Sequence, residues 1–220
     1  MSTSKLSKIY TEIKESVTTS FMSTQDRLVT NFDISPQDFI SFAEIDLTQD
    51  YEHKYVNSLS NSKRALDCQL DSLLVSFGYY PLSQKQQWSF PKKIDLIKEF
   101  GIVAPRVLKK INKQRNLLEH QFVKPEKETV EDFLDITMLF IASTDAYIFK
   151  FKKWLAFKNE ELDKSYHLEN FYQEQKITIT IRDFKNRMAS SDDTSGLIDR
   201  QDVLVGDELY NSFLKIYLKD

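Results

Sequence analysis

Glycine and proline are scarce in this chain, and their scarcity restricts the possible folds more than any other feature. Among 220 residues there are four Gly and five Pro, the residue types that most often interrupt regular elements. Long uninterrupted elements are therefore expected, which favours helices over many short strands. We predict a mainly α protein, a helical bundle with a small C-terminal β appendage.

Apolar residues at helical spacing indicate where the helices lie. We predict long helices over residues 4–22, 50–77, 105–122 and 129–159, and shorter ones from Ser35 and over 91–100. The segment Ser35-Pro36-Gln37-Asp38 is a typical helix start. Serine caps the first turn, proline suits the first helical position, and an aspartate is favoured near the positive end of the helix dipole.

A loop rich in aromatic residues is expected between two of these helices, over residues 79–90. Its rings are those of Tyr79, Tyr80, Trp88 and Phe90. They could stack on unpaired bases. We prefer the other interpretation, in which the rings fold the loop onto the bundle.

Beyond Leu162 the apolar period changes from helical to alternating. Isoleucine and threonine alternate over residues 177–181, which predicts a strand. A second alternation, over residues 214–218, also fits a helix, but we interpret it as a strand. The chain is therefore divided into a helical domain with an N-terminal helix, residues 1–162, and a small β-containing appendage, residues 163–220.

Composition excludes several classes of protein. The net charge of −3 is not that of a general nucleic-acid binder, so any such binding must use a local patch. Cys68 is the sole cysteine, so no internal disulfide can form and a reducing compartment is expected. No hydrophobic leader or membrane-length apolar run is present, and we expect a cytoplasmic protein.

The richest chemistry lies near the end of the predicted helix over residues 105–122, at Arg115, Asn116 and His120. Asn116 and His120 are one turn apart and share a helix face. Arg115 and His120 are five positions apart, so their side chains diverge by about 140°. Two copies related by a two-fold axis could instead pair one chain's arginine with the other's histidine.

These three residue types suit RNA cleavage. RNA carries its own nucleophile, the 2′-hydroxyl, so the reaction needs a proton acceptor and donor and a cation for the charged phosphorane. His120 can transfer the protons, and Arg115 can supply the cation. Asn116 can position the substrate by hydrogen bonds. The alternative is an ordinary helix end in which Arg115 pairs with Glu119 and His120 caps carbonyl groups.

A basic stretch surrounds these residues. From Arg106 to Lys127 seven basic residues face two acidic ones, a local net charge of +5, which attracts a phosphate backbone. Lysines at a helix end also complement the helix dipole, so part of the stretch has a structural explanation. The candidate RNA-binding residues are Lys109, Lys110, Lys113 and Lys124.

The segment from Arg115 to His120 resembles the R-N-x-x-x-H signature of the HEPN superfamily, with Phe122 where members often have tyrosine. The resemblance covers roughly residues 50–157. It implies a HEPN-like up-and-down helical bundle and catalytic roles for Arg115, Asn116 and His120, with RNA as substrate and no metal or cofactor. The divergence of Arg115 and His120 on one helix separately predicts a homodimer. Many such domains are endoribonucleases in toxin–antitoxin, phage-defence or RNA-processing systems, so an antitoxin or other protein partner is also implied; other members have lost activity.

Two functions therefore remain open. The first is a metal-independent endoribonuclease, a toxin or defence effector, which the intact Arg115-Asn116…His120 set favours. The second is a non-catalytic module that binds RNA, nucleotide or a protein partner, which Glu119 and the acidic total charge favour. The other histidines lack metal-ligand spacing, and no glycine-rich phosphate loop is present.

Overall fold

The computed structural model describes residues 2–23, 28, 30, 32–102, 124–149, 152–183 and 196–218. The helices in these residues are α1 (Ser2–Lys14), α2 (Pro36–Thr48), α3 (Lys54–Ser76), α4 (Tyr80–Lys85), α5 (Phe90–Glu99), α6 (Lys127–Thr144) and α7 (Tyr210–Tyr217). The strands are β1 (Val17–Ser23), β2 (Lys152–Asn159), β3 (Lys164–Phe171), β4 (Lys176–Asp183) and β5 (Leu197–Leu204).

The five strands form one antiparallel sheet in the order β1-β2-β3-β4-β5. The prediction of a mainly α bundle with a small β appendage is therefore wrong. The sheet is a major part of the fold, and it takes strands from both ends of the chain. The boundary predicted between residues 162 and 163 falls in the turn between β2 and β3.

The helix predicted over residues 129–159 is two elements. Helix α6 ends at Thr144, a short 3-10 turn follows, and β2 begins at Lys152. The helical spacing of apolar residues in this run was misleading because a strand period coexists with it. The large apolar Leu155 and Phe157 lie on one side of β2, whereas the small Ala156, which is also buried, and Lys158 lie on the other.

The two chain ends also differ from the prediction. Helix α1 ends at Lys14, and β1 starts at Val17 in a β-branched run, Val17-Thr18-Thr19, which disfavours helix and favours strand. The segment over 214–218, interpreted as a strand, belongs to helix α7. The strand predicted over 177–181 is confirmed as β4, and the helix starting at Ser35 as α2.

The chain forms two compact units. The first, the sheet unit, comprises the described residues of Met1–Leu28, Ser76–Tyr79 and Phe149–Asp220. The second, the helical unit, comprises those of Val29–Val75 and Tyr80–Ile148. All strands that the structure describes lie in the sheet unit.

In the sheet unit, one face of the sheet packs on α1 and α7. Leu155, Leu168 and Ile179 lie side by side on β2, β3 and β4 and are buried. Tyr10 of α1 meets Phe213 of α7 edge to face, with ring centroids 5.4 Å apart, so both helices lie on this face. We call it the helix-covered face, and the opposite one the second face.

In the helical unit, α2, α3 and α6 share an apolar core. Its buried members are Ile40, Ala43, Ala65, Leu134 and Ile141. A polar bond crosses the same unit, because the Gln69 Nε2 donates to the Thr144 Oγ1 at 2.9 Å. The start of α2 is a capping box, in which Ser35 and Asp38 each bind the other's backbone N–H.

Candidate functional site

Most of the predicted site residues lie outside the described part of the chain. They are Arg115, Asn116, His120, Lys109, Lys110 and Lys113. Their roles in catalysis and RNA binding stay predictions, and so does the pairing of two motif helices across a two-fold axis.

Lys124 is the candidate RNA-binding residue that the structure describes. It precedes α6, its side chain is exposed, and its Nζ lies 3.7 Å from the Oε1 of Glu52, which is more exposed still. An exposed pair of this kind is weak and is screened by salt. Lys124 is therefore accessible to a phosphate, although Glu52 competes for its charge.

The predicted aromatic loop is partly helical. It contains α4 and the start of α5. The ring of Tyr80 packs edge-on against Phe32 at 5.4 Å, Phe90 is buried, and the Lys92 Nζ lies 4.4 Å from the centre of the Trp88 ring. These contacts support the interpretation that the rings fold the segment onto the protein.

The most concentrated polar chemistry among the described residues lies on the second face of the sheet, around His167 of β3. The His167 ring is 5.3 Å from that of Trp154 on β2, with the ring planes tilted by 41°. Its Nε2 is buried and has no hydrogen-bond partner among the described residues. A buried polar atom without a partner is uncommon and calls for a physical explanation.

Arg182 and Thr180 complete this cluster from β4. Thr180 lies directly across from His167, and Arg182 follows on the same face. Burial lowers the pKa of His167 below 6.5, and the charge of Arg182 lowers it further. Arg182 itself is 4% exposed. The cluster therefore combines an imidazole whose neutral form is favoured with a buried cation.

Sequence reasoning missed the His167 cluster because its members are far apart in the chain. Along the sequence His167 is isolated from other residues that suggest a site. Trp154, Thr180 and Arg182 reach it from the two adjacent strands. Only the strand register brings them together, and the sequence pattern does not specify that register.

A second polar cluster joins α1 to the helix-covered face. The Glu12 Oε2 accepts a hydrogen bond from the Tyr166 hydroxyl at 2.6 Å and one from the Lys164 Nζ at 3.2 Å. Lys8 lies a turn earlier on α1, with its Nζ 3.9 Å from the Glu12 Oε1. The side chains of Tyr166 and Lys164 both project from β3 toward α1, so we assign this cluster a structural role.

The described residues contain neither a metal-binding cluster nor a membrane-spanning helix. No group of three or more His, Cys, Asp or Glu side chains in these residues is arranged to hold a metal ion. No helix described by the structure combines the length and apolar character required to cross a bilayer.

Comparison with known proteins adds no family assignment. No model of a protein family matches the sequence. Neither the curated proteins nor the solved structures contain a match to it. The HEPN resemblance therefore stays a prediction that depends on the motif at residues 115–120.

Proposed function

We propose that this protein is a metal-independent endoribonuclease, acting as a toxin or defence effector, with its chemistry at Arg115, Asn116 and His120. The observation that carries the proposal is the Arg-Asn-x-x-x-His set inside a stretch with a local net charge of +5. The exposed Lys124, near the end of that stretch, supports it.

The proposed reaction uses the 2′-oxygen of RNA as nucleophile. This oxygen attacks the adjacent phosphorus and loses its proton, while the bond from phosphorus to the 5′-oxygen breaks and the leaving oxygen gains a proton. The products are a 2′,3′-cyclic phosphate and a 5′-hydroxyl. His120 serves as a proton-transfer group, Arg115 stabilises the charged phosphorane, and Asn116 orients the phosphate.

Purified protein is expected to cut single-stranded RNA in the presence of EDTA. His120→Ala and Arg115→Ala should each lower the cleavage rate by about a hundredfold or more, since proton-transfer and charge-stabilising groups contribute on this scale. The matched controls are His53→Ala and Arg64→Ala, which remove exposed side chains of the helical unit and should leave the rate unchanged. Product ends are identified by mass spectrometry.

Two results would reject catalysis. One is the absence of RNA cleavage by the unmodified protein, and the other is equal cleavage by His120→Ala. Glu119→Gln should leave the rate unchanged or raise it, because it removes a negative charge beside the phosphate.

The alternative function is binding of RNA, nucleotide or a protein partner through the same basic stretch without cleavage. RNA binding through phosphates weakens steeply with salt. Lys124→Ala should reduce the slope of log K against log salt by about one. Lys85→Ala, an exposed lysine of the helical unit outside the stretch, is the control and should leave the slope unchanged. Equal slopes for the two variants would exclude Lys124 from the RNA-binding surface.

A homodimer with a composite cleft also belongs to the proposal, because Arg115 and His120 diverge on one helix. If the cleft uses one residue from each copy, mixing the Arg115→Ala and His120→Ala variants restores part of the activity. A dimer whose mixed variants stay inactive would place the whole site within one chain.

A further inference from the structure

The outer edge of β5 is an unusual surface for a soluble protein. β5 is the last strand of the sheet, is eight residues long, and has no partner on its outer side among the described residues. Ile198 and Leu204 are 54% and 51% exposed on it. A long edge strand with exposed apolar side chains is a template for pairing with another strand. The opposite edge, β1, is instead interrupted by two register shifts, which disfavour such pairing.

The backbone of β5 offers hydrogen-bonding groups on this side. The Val205 N–H donates to the Gln175 carbonyl at 2.8 Å, so position 205 faces β4. The backbone N–H and C=O groups of successive residues point to opposite edges of a strand. Those of Arg200 and Asp202 therefore point away from β4. The N–H of Leu204 points the same way and is bound by the Asp207 carboxylate at 2.8 Å.

We propose that β5 pairs antiparallel with β5 of a second copy of this chain, about a two-fold axis that passes beside Gln201. In this register Arg200 lies opposite the second copy's Asp202, and Ile198 opposite its Leu204. The backbone groups of Arg200 and Asp202 bond across the axis. The two sheets thereby become one continuous sheet.

Charge and side-chain pattern select both this partner and this register. Directly opposed residues must point to the same face, so the axis passes beside a residue and not between two. Near the middle of β5 that residue can be Arg200, Gln201 or Asp202. Beside Arg200 it would oppose two arginines, and beside Asp202 two aspartates, both of which are destabilising. Beside Gln201 it matches arginine with aspartate and isoleucine with leucine. This segment of β5 is therefore complementary to itself.

The Asp202 carboxylate can still be reached by an arginine of the second copy. The Asp202 side chain is 44% exposed, although its Oδ1 accepts from the Thr178 hydroxyl at 2.7 Å and its Oδ2 lies 3.3 Å from the Lys176 Nζ. These bonds hold the carboxylate in place on the second face, the face on which Arg200 also lies. An arginine arriving from the other copy would meet a carboxylate that is already ordered.

Cysteine cross-linking of the full chain tests the register. Cys68 is the single native cysteine, so the background is Cys68→Ser. Gln201→Cys should form a disulfide-linked dimer on mild oxidation, because opposed residues of a non-hydrogen-bonded pair have Cα atoms about 4.5 Å apart, within the disulfide range. Arg200→Cys and Asp202→Cys are the matched controls and should stay uncross-linked. Cross-linking at either control position instead of at position 201 would overturn the proposed register.

Charge reversal tests the interface independently. Sedimentation should show that the unmodified protein is a dimer at micromolar concentration. Arg200→Asp should raise the dimer dissociation constant at least tenfold, and the double variant Arg200→Asp with Asp202→Arg should recover most of the loss. Val17→Lys, on the exposed β1 edge, should have no effect. Circular dichroism checks that each variant remains folded.

A monomeric unmodified protein, including one whose β5 edge binds a strand of another protein, would overturn the proposal. A dimer whose dissociation constant is unchanged by Arg200→Asp would also overturn the proposal. A monomer would also contradict the composite cleft of two copies. RNA cleavage itself is measured separately with His120→Ala.

Discussion

Among single residues, Glu12 shows how environment controls a buried charge. Burial by itself raises the pKa of the Glu12 carboxyl, but the hydrogen bonds from Tyr166 and Lys164 and the charges of Lys164 and Lys8 outweigh it. The pKa therefore lies below 4.5. A carboxyl whose pKa is lowered by folding stabilises the folded state above its unfolded pKa, and this contribution is lost as the pH falls through the folded pKa.

Glu12→Gln should destabilise the sheet unit at pH 7 by about 2 kcal/mol, the usual scale for a buried hydrogen bond to a charged group. The difference from the unmodified protein should shrink as the pH falls below 4.5, since both chains then carry a neutral group at this position. Thermal unfolding followed between pH 3 and 7 measures this difference. Glu15→Gln, at an exposed position just beyond α1, is the control. Equal stability of the Glu12→Gln variant and the unmodified protein at pH 7 would contradict the assigned role.

The proposed catalytic residues illustrate what sequence can predict at this scale. Residue type and spacing were enough to propose a role for Arg115, Asn116 and His120, because the chemistry of RNA cleavage requires few groups. They were not enough to find His167, whose neighbours Trp154 and Arg182 come from other strands.

Among the elements, the turn after α3 depends on a glycine. Gly78 has φ +74°, and a Cβ added to it would lie 2.8 Å from the hydroxyl oxygen of Tyr210. That hydroxyl donates to the Phe77 carbonyl at 2.8 Å and joins α7 to this turn within the sheet unit. The left-handed backbone and the lack of space both favour glycine here.

Gly78→Ala should therefore lower the free energy of unfolding of the sheet unit by about 2 kcal/mol or more. About 1 kcal/mol or more comes from the backbone, and about 1 kcal/mol from displacing the Tyr210 hydrogen bond. Gly206→Ala is the control, since Gly206 also has a positive φ but has nothing within 4 Å of the added Cβ. Denaturant titration measures the free energy of unfolding of both variants. A loss no larger for Gly78→Ala than for Gly206→Ala would show that Tyr210 is not the constraint.

Element types could be predicted from sequence where a boundary signal accompanied the periodicity. The capping box at Ser35 and the alternation in β4 were sufficient. The junctions after Lys14 and Thr144 have no glycine or proline, so apolar spacing carried both helix predictions across them into strands. The prediction over residues 214–218 failed because α7 is short enough to fit either period.

In the whole molecule, the sheet unit takes its strands from distant parts of the chain. β1 comes from the N-terminal region, whereas β2 to β5 come from the C-terminal part, and the helical unit lies between them in sequence. The number of possible strand pairings grows when the strands are far apart in the sequence. The prediction of a β appendage confined to residues after 162 followed from assuming that neighbouring segments pack together, as they more often do.

The pairing of β1 with β2 has a consequence for biosynthesis. More than half of the chain is translated between these strands, which takes on the order of ten seconds at typical ribosome speeds. During that delay the apolar side of α1, with Leu6, Ile9 and Ile13, has no sheet to cover it and is open to a chaperone. The helical unit can fold meanwhile. We therefore expect the middle of the nascent protein to fold before its two ends.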